Sequence, residues 1–488
     1  MKTLFDLKSC GGKKPRPRPS RGSAPINNPV WSYDFSAQTS FSRSDYADWA
    51  IHGFIGQPLE ISLSPCSSLA GRQLAHEEVD WLMFALYIYS ADRFSSRRPA
   101  LYGGPSLWRR QIKVKIPVVD LVRWEKAKPS ILSALSSLTD DDWAIEFVER
   151  SYYFKEEQQS YLTESSQQIR DWVCLFSGGL DSLAGVQELR NRVGGNGLMV
   201  SGWTHNRLHV AQKAITSKIA EQTKNAVGWL PLKYGFSHIF DNSSMESSQR
   251  ARGWMHVAMG LAAAKIVNAD LLDICENGIG AFNLPTDLSQ TGSHNSRSVH
   301  PVFLSRMAKS AELILGRSFQ IRQNALFETK GDLLRRTMTR NDLSLISSSF
   351  SCEIFPNYQS KKDQCGLCPS CLVRRASLHS AGIFDDGESY TWDVASKGLP
   401  ARKQLGLIKM EAYVSRLSKR LEPNAASDSL IWEYPEAASF FDESADSLSM
   451  DYDTFLDKFT RLHRNFVGEW NCFAQSILGL RQTHSVAA

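Results

Sequence analysis

The sequence predicts an α/β protein whose central domain is built on a parallel sheet. Between residues 172 and 275, short apolar runs alternate with segments of helical periodicity. Apolar strands without polar alternation are typical of a sheet that helices cover on both faces. The chain has 488 residues, too many for one ordinary hydrophobic core, so we expect further domains on either side.

The elements of the central domain follow one another in a regular order. We predict strands at 172–176, 198–203, 238–240 and 271–275, and helices at 181–193, 211–222 and 252–267. Ligands of such sheets bind outside the carboxyl ends of the strands. Residues that follow the strands are therefore the first candidates for a functional site.

The regions that flank the central domain differ from it in composition. Residues 1–28 form a basic tail rich in proline and glycine, with almost nothing to bury, which is typical of a disordered segment. Residues 29–165 combine helical stretches with two strand patterns, which predicts an N-terminal α+β domain. A polar run at 155–168 then predicts a linker to the central domain, 166–383. Helical periodicity predicts a C-terminal helical region at 384–488.

Composition and charge indicate a cytoplasmic protein. Hydrophobic residues make up 42% of the chain and charged residues 22%, and the net charge is only +5. We find no signal peptide and no apolar run of about 18 residues, so we expect no membrane partner. The basic tail is a weak signal for nucleic-acid binding, and a solvated tail is its ordinary interpretation. Nine cysteines, four of them between 352 and 371, favour a reducing compartment and a metal site.

The stretch "CLFSGGLDSLAG" places small and polar residues where a strand gives way to a helix. Gly178 and Gly179 allow backbone N–H groups to close around an anion, and the following helix presents its positive end there. Ser177 and Ser182 add hydroxyl groups. Asp181 does not favour a bare phosphate, so it implies Mg²⁺ shared with the phosphates or a helix cap. The competing interpretation is a tight structural turn.

Four cysteines, Cys352, Cys365, Cys368 and Cys371, have the spacing of metal ligands. Four thiolates close a tetrahedral Zn²⁺ site, and Gly366 allows the tight turn that such a site needs. A site of this kind leaves no open position for chemistry. An iron–sulfur cluster uses the same ligands and stays open as an alternative.

The hexapeptide 177–182 matches the PP-loop of the N-type ATP pyrophosphatases. Together with "CGLCPSCLVRRASLHSAG", it resembles the 7-cyano-7-deazaguanine synthase (QueC) family over about residues 172–383. The resemblance implies a HUP-type, Rossmann-like domain that uses ATP, Mg²⁺ and a four-cysteine Zn²⁺ site. Members convert 7-carboxy-7-deazaguanine into the nitrile by adenylation and attack of ammonia.

The resemblance also implies roles for single residues. The catalytic candidates are Asp181, Ser177, Lys330 and Arg252. The phosphate and nucleotide contacts would come from Ser177, Gly178, Gly179, Leu180, Asp181, Ser182, Arg207, Arg250, Glu276 and Asn277. The metal ligands would be the four cysteines. For the arginines and the lysine, the ordinary interpretation is a solvated side chain.

The sequence departs from the compact synthases, and the added flanking regions favour a macromolecular acceptor. Pro369 stands where the synthases usually carry an aspartate, and flanking regions are added on both sides. Such enlarged forms resemble the QueC-like components of bacterial antiphage systems, the Qat system above all and type IV CBASS. This implies a 7-deazaguanine nucleobase, a protein partner from the same defence operon, and ammonia or a protein amine as acceptor. A non-catalytic nucleotide-binding subunit and a PP-loop tRNA-modifying enzyme are the alternatives, and the latter needs a catalytic cysteine pair outside the cluster.

Overall fold

A computed structural model describes most of the chain. The described residues are 30–36, 38–41, 47–49, 59–95, 97, 109–158, 170–236, 245–286, 296–356, 362–396, 399, 401–422, 429–434 and 440–479. The predicted disordered tail and the predicted strand at 238–240 lie outside them, as does most of the predicted linker. The described residues confirm an α/β protein with a parallel-strand sheet and a helical C-terminal region.

The N-terminal segment contains a small parallel sheet. Its elements are β1 (Val30–Asp34), β2 (Gln38–Phe41), β3 (Ala47–Trp49), β4 (Leu59–Ile61), α1 (Ser64–Ala70), α2 (His76–Phe94), β5 (Gln111–Val118), α3 (Leu121–Thr139), β6 (Asp142–Glu149) and α4 (Lys155–Gln158). Strands β1, β5 and β6 lie side by side in that order, and all run parallel. Helix α3 connects β5 to β6, so this unit is a βαβ arrangement where the sequence predicts mixed α+β.

The central region contributes five strands. They are β7 (Trp172–Leu175), β8 (Gly197–Trp203), β9 (Val227–Phe236), β10 (Leu271–Ile274) and β11 (Gln320–Arg322). The large sheet has the order β11-β10-β7-β8-β9-β4, and its neighbours are parallel except for β4 against β9. Strand β9 is absent from the sequence prediction, which placed a strand a few residues later. The carboxyl ends of β7 and β10 meet at the middle of the sheet.

Helices cover both faces of the large sheet. The helices of the central region are α5 (Leu180–Arg192), α6 (Asn206–Gln222), α7 (Arg252–Ile266), α8 (Gly278–Phe282), α9 (Pro301–Leu315), α10 (Lys330–Thr337), α11 (Leu343–Ser348) and α12 (Pro369–Ser380), and of these α5, α6, α7 and α9 pack on its strands. Val173 of β7 joins the core with α7, whereas its neighbour Cys174 joins the core with α5 and α6. This alternation explains the apolar strands, because both faces of each strand are buried.

The hydrophobic core extends across the predicted boundary at residue 165. Trp81 of α2 and Trp254 of α7 are fully buried against each other, with ring centroids 6.2 Å apart. The indole N–H of Trp81 also donates to the carbonyl oxygen of Ala258. Strand β4 adds an edge to the large sheet. The boundary stays a prediction, and the two sides share one core.

The C-terminal region is helical. It consists of α13 (Ala401–Arg420), α14 (Ser429–Glu433), α15 (Phe441–Ser447) and α16 (Tyr452–Phe473), which continues as a π-helical turn, Ala474–Leu478. Its core of aromatic and aliphatic side chains also includes residues of α8 and α12. The region therefore packs on the end of the sheet where β7 and β10 finish. Among the described helices, none is long and apolar enough to cross a membrane.

Candidate functional site

The loop between β7 and α5 turns at two glycines. Gly178 has a φ of +87°, a left-handed conformation that glycine adopts without strain. A β-carbon there would lie 2.6 Å from two ring atoms of Phe350, so the packing of this ring also requires glycine. Gly179 is the N-cap of α5 and has no side chain to cap the helix. The first N–H groups of α5 thus have the arrangement in which helix N-termini receive anions.

Two hydroxyl groups hold the loop in shape. Ser177 Oγ accepts the N–H of Gly179 at 3.1 Å and lies 3.2 Å from Ser182 Oγ. The hydroxyl of Ser182 donates to the carbonyl oxygen of Gly179 at 2.9 Å. Ser177 and Gly179 line the cavity described below, whereas Ser182 and Leu180 are buried behind the loop. Leu180 can therefore serve a ligand only through its backbone.

Asp181 is the centre of a polar cluster at the ends of β7 and β10. Its Oδ2 pairs with Lys330 Nζ at 2.8 Å, and its Oδ1 accepts from Asn277 Nδ2 at 3.0 Å. The same amide nitrogen donates to Glu276 Oε1 at 2.9 Å. The amide oxygen of Asn277 caps the first turn of α8 and so fixes the orientation of the amide. Four predicted site residues, from three separate chain segments, are brought together here.

Burial and charge set the protonation of this cluster. Burial lowers the pKa of Lys330, but Asp181 and Glu276 outweigh this effect and raise it above its usual value. Burial and the charge of Asp181 raise the pKa of Glu276 to about 8, against the opposing effect of Lys330. The cluster therefore contains a firmly charged ammonium group beside two carboxyl groups, one of which keeps its proton at neutral pH.

The four cysteines of the predicted metal site are clustered. Their sulfur atoms all lie within 4.8 Å of one another, and Cys365–Cys371 and Cys352–Cys368 are each separated by 3.9 Å. Sulfurs around a tetrahedral Zn²⁺ are about 3.8 Å apart, because the Zn–S bond is about 2.3 Å. The N–H groups of Leu367 and Cys368 also donate to Cys365 Sγ. The cluster thus fits a metal ion such as Zn²⁺.

The turn of the cysteine cluster is held from two sides. Gly366 has a φ of +85°, and a β-carbon there would lie 2.1 Å from the carbonyl oxygen of Trp392. The N–H of Trp392 donates to the carbonyl oxygen of Cys365 at 3.1 Å. On the other side, a β-carbon at Gly406 of α13 would lie 2.0 Å from the carbonyl oxygen of Leu367. The C-terminal region therefore packs directly on the metal-binding turn.

A short segment connects the glycine loop to the cysteine cluster. The N–H of Phe350 donates to the carbonyl oxygen of Gly178 at 3.1 Å. Cys352, two residues later, is a member of the cluster. The backbone of this segment thus ties the two sequence motifs together. A metal ion in the cluster would consequently stabilise the loop as well.

The glycine loop, the polar cluster and the cysteine cluster line one cavity of about 800 Å³. This volume is in the usual range of small-molecule sites. Its loop end is formed by Ser177, Gly179, Asp181, Glu276, Asn277 and Lys330. Its other walls include three cysteines of the cluster, the aromatic residues Phe350, Phe355 and Trp392, and C-terminal residues Lys403, Lys409, Met410, Tyr413 and Phe466.

The three predicted arginines lie in different surroundings. Arg252, at the start of α7, is exposed and lines the cavity. Arg207 pairs with Asp363 at 2.7 Å and lies 5.3 Å from the ring centroid of Phe355, beside the cavity wall. Arg250 is buried away from the cavity. Burial and the charge of Arg97 lower its pKa to about 10. A nucleotide-binding role for Arg250 and Arg207 stays a prediction.

Several cavity residues are absent from the sequence prediction. Some of them belong to α13 and α16, whose helical periodicity predicts only a packed region. Cys174 and Cys275, in contrast, are close to each other but lie behind the loop, where their surroundings are apolar. Among the described residues that line the cavity, the only cysteines are those of the metal cluster. The catalytic cysteine pair that a tRNA thiolase needs is therefore not found at this site.

Comparison with known proteins adds no further identification. Neither the scan against protein-family models nor the searches of curated proteins and solved structures gave a match. The functional argument consequently rests on the geometry of the cavity and on the motifs that line it.

Proposed function

We propose that the chain is a QueC-like, ATP-dependent enzyme that adenylates the carboxylate of a 7-deazaguanine nucleobase. The adenylate is then attacked by ammonia or by an amine of a partner protein from the same defence operon. The observation that carries the proposal is the shared cavity, because the PP-loop sequence and a buried lysine–carboxylate cluster line it together. The HUP fold and the cytoplasmic location are part of the same proposal.

Each part of the loop end has a function in this reaction. The uncapped N-terminus of α5 and the hydroxyl of Ser177 receive the phosphates of ATP. The Lys330 ammonium group is already charged and buried, so it stabilises negative charge that develops on the phosphates. Asp181 is a carboxylate of the kind that holds Mg²⁺, and Glu276 would join it on losing its proton; Mg²⁺ when bound would neutralise phosphate oxygens. Asn277 orients both carboxyl groups.

The reaction proceeds through two displacements. In the first, a carboxylate oxygen of the nucleobase forms a bond to the α-phosphorus of ATP, and the bond to the β-phosphate oxygen breaks with loss of pyrophosphate. In the second, an amine nitrogen forms a bond to the carbonyl carbon, and the bond to the AMP oxygen breaks. The amine proton passes to solvent, and the product is an amide. Formation of a nitrile requires a second ATP, which adenylates the amide oxygen so that this oxygen leaves with AMP and two protons pass to solvent. AMP is a better leaving group than the hydroxide that the free acid would have to release, which is why the reaction consumes ATP.

The cysteine cluster supports this site without taking part in the chemistry. Zn²⁺ bound by four thiolates has no open coordination position. Cys352 is a member of the cluster, and Phe350, two residues earlier, is hydrogen-bonded to Gly178. A metal ion in the cluster would therefore stabilise the glycine loop. The cavity is large enough for a nucleotide with a second small molecule, and its volume is consistent with two substrates.

Product analysis tests the proposal. The full chain is incubated with ATP, Mg²⁺ and 7-carboxy-7-deazaguanine, with and without its operon partners, and the products are analysed by mass spectrometry. We expect AMP, pyrophosphate and an amide or nitrile product, or a partner protein that has gained the mass of the nucleobase. Asp181→Asn is expected to abolish turnover and to retain zinc.

Three other outcomes would contradict the proposal. Binding of ATP without AMP formation would indicate a nucleotide-binding subunit. Modification of added tRNA would indicate the other class of PP-loop enzyme. Loss of zinc in Asp181→Asn would show that this residue maintains the fold.

A further inference from the structure

Lys330 depends for its position on the N-terminus of a short helix. It is the first residue of α10, and its buried ammonium group reaches Asp181 at 2.8 Å. The Lys330 side chain is only 10% exposed, so its path to Asp181 is confined by its surroundings. Any shift of the first turn of α10 would thus move the ammonium group away from the loop end of the cavity.

This first turn is capped by Thr329. The hydroxyl of Thr329 accepts the N–H of Asp332 at 3.0 Å, and the carboxylate of Asp332 accepts the N–H of Thr329 in return. This reciprocal pair is a capping box, which stabilises the start of a helix. Because the Thr329 oxygen already accepts one N–H, its own proton is directed elsewhere.

The proton of Thr329 is donated to the C-terminal region. Its hydroxyl lies 2.6 Å from Oε1 of Glu469, which is on α16 and is buried. A distance of this size is typical of a hydroxyl that donates to a carboxylate, one of the stronger hydrogen bonds in proteins. A single glutamate on the last long helix therefore holds the cap of the helix that carries Lys330.

Gly331 makes this approach of the carboxylate feasible. A β-carbon at this position would lie 2.3 Å from Glu469 Oε1, so no other residue fits there without moving the glutamate. Helix α10 also packs on α12, and α12 packs on α16. The packing of these helices thus holds the Glu469 carboxyl group against the first turn of α10, and the lack of a side chain at Gly331 leaves room for it there.

We propose that Glu469 is a positioning residue for Lys330, through which the C-terminal helical region completes the phosphate-binding end of the cavity. The expected effect on turnover rests on the proposed function, whereas the contact between Glu469 and Thr329 does not depend on it. Glu469 is not among the described residues that line the cavity, so it acts on Lys330 through Thr329 and the first turn of α10. The C-terminal region is then a part of the active site and not an appended module.

The test compares three variants of the full chain. Glu469→Ala removes the acceptor for Thr329, whereas Glu469→Gln keeps an oxygen that accepts the same bond. Trp470→Phe is the matched control, because it removes the neighbouring bond to Glu411 on α13 and leaves the Thr329 contact in place. Melting temperatures of all three show how much each loses in stability.

Two readouts separate positioning from general destabilisation. The first is pyrophosphate release under the conditions above, where we expect Glu469→Ala to lower kcat by about 10- to 100-fold with little change in KM for ATP. Glu469→Gln and Trp470→Phe are expected to stay within about threefold of wild type, which corresponds to less than 1 kcal/mol. The second is the rate at which an amine-specific reagent labels Lys330, measured by peptide mass spectrometry. We expect labelling of Lys330 to become faster in Glu469→Ala alone, and labelling of the exposed Lys126 to stay unchanged.

Each outcome bears on the inference. It is overturned if Glu469→Ala matches wild type in Lys330 labelling, or if Trp470→Phe accelerates Lys330 labelling as much as Glu469→Ala does. If wild type releases no pyrophosphate but Lys330 labelling still responds to Glu469→Ala alone, the positioning holds and the proposed function fails. Rescue of both readouts by Glu469→Gln supports the hydrogen bond as the cause.

Discussion

Two of the buried clusters of charged residues that the structure describes differ in what they face. In the N-terminal segment, Arg110 pairs with Asp92 at 2.6 Å and with Asp141 at 2.5 Å, and all three side chains are inaccessible to solvent. At the end of β7, Lys330 pairs with Asp181 at 2.8 Å, and both line a cavity. The distances are similar, but only the second cluster is open to a ligand.

The difference between the two clusters indicates their roles. Arg110 also donates to the carbonyl oxygens of Asp92 and Ser95, so the N-terminal cluster satisfies its donors from within the fold. In the cavity cluster, burial raises the pKa of Glu276 to about 8. Lys330 and Asn277 thus offset only part of the cost of burying its negative charge. A closed ion network stabilises the fold, whereas a strongly shifted pKa beside a cavity is typical of a functional site.

The largest effect is expected from breaking the closed cluster. Arg110→Ala leaves the buried carboxylate of Asp92 without its arginine partner and leaves Asp141 paired with Arg97 alone, so the free energy of unfolding should fall by about 3–5 kcal/mol. Chemical denaturation measures this change in the free energy of unfolding. The neighbouring Arg109→Ala is the control, because Arg109 and Asp142 form an exposed pair whose loss costs about 0–1 kcal/mol. Equal effects of the two variants would contradict the structural role of the buried network.

The next effect is expected at the open cluster. Lys330→Ala removes the ammonium group that would face the phosphates in the proposed reaction, so kcat for pyrophosphate release should fall by about 10²- to 10³-fold. Steady-state kinetics on folded protein measures it, and stability should change less than in Arg110→Ala. Lys218→Ala is the control, since Lys218 binds Ser348 and lies outside the cavity lining. Unchanged kcat in Lys330→Ala would remove Lys330 from the site.

The cysteine cluster gives a third test. Cys371→Ser removes one of four ligands, so we expect bound zinc to be lost and the melting temperature to fall, because metal binding contributes to folding. Metal analysis and thermal unfolding measure the two effects. Cys472→Ser, an exposed thiol outside the cluster, should retain one zinc per chain. Equal zinc content in the two variants would contradict a four-cysteine metal site.

The last test is a pH dependence of stability. The folded pKa of Glu276 is raised to about 8 from an ordinary value of 4.5, so the folded state holds a proton that the unfolded state loses. The contribution of Glu276 to stability is thus full below about pH 4.5 and is lost as the pH rises through about 8. Without divalent cations, wild type should lose stability relative to Glu276→Gln over this range. A constant difference between the two would contradict the raised pKa.

The parts of the site that lie close together in the sequence could be predicted. The loop 177–182 follows an apolar strand, and Cys365, Cys368 and Cys371 share one short segment. Ligands of parallel sheets bind beyond the carboxyl ends of the strands. Glu276 and Asn277 follow a strand, so they too could be predicted as site residues. Local spacing and strand order were sufficient for these residues.

Long-range contacts account for what the sequence prediction missed. Strand β9 contains Gly228, Pro231 and Gly235, which interrupt its apolar pattern, and pairing with β8 and β4 determines its position. Glu469 is one carboxylate on an amphipathic helix, and nothing in its local pattern points to Thr329. Arg250 and Arg252 are two residues apart in the sequence, but only Arg252 reaches the cavity, because Arg250 precedes the helix and points into buried charges.

Exchange of labelled pyrophosphate into ATP is the most direct measurement of the proposed reaction, because it reports adenylation whatever the final acceptor is. We expect exchange by the zinc-loaded full chain that depends on Mg²⁺ and on added 7-carboxy-7-deazaguanine, and that is lost in Asp181→Asn. Exchange that is absent from wild type, or that is equal in Asp181→Asn, would contradict it.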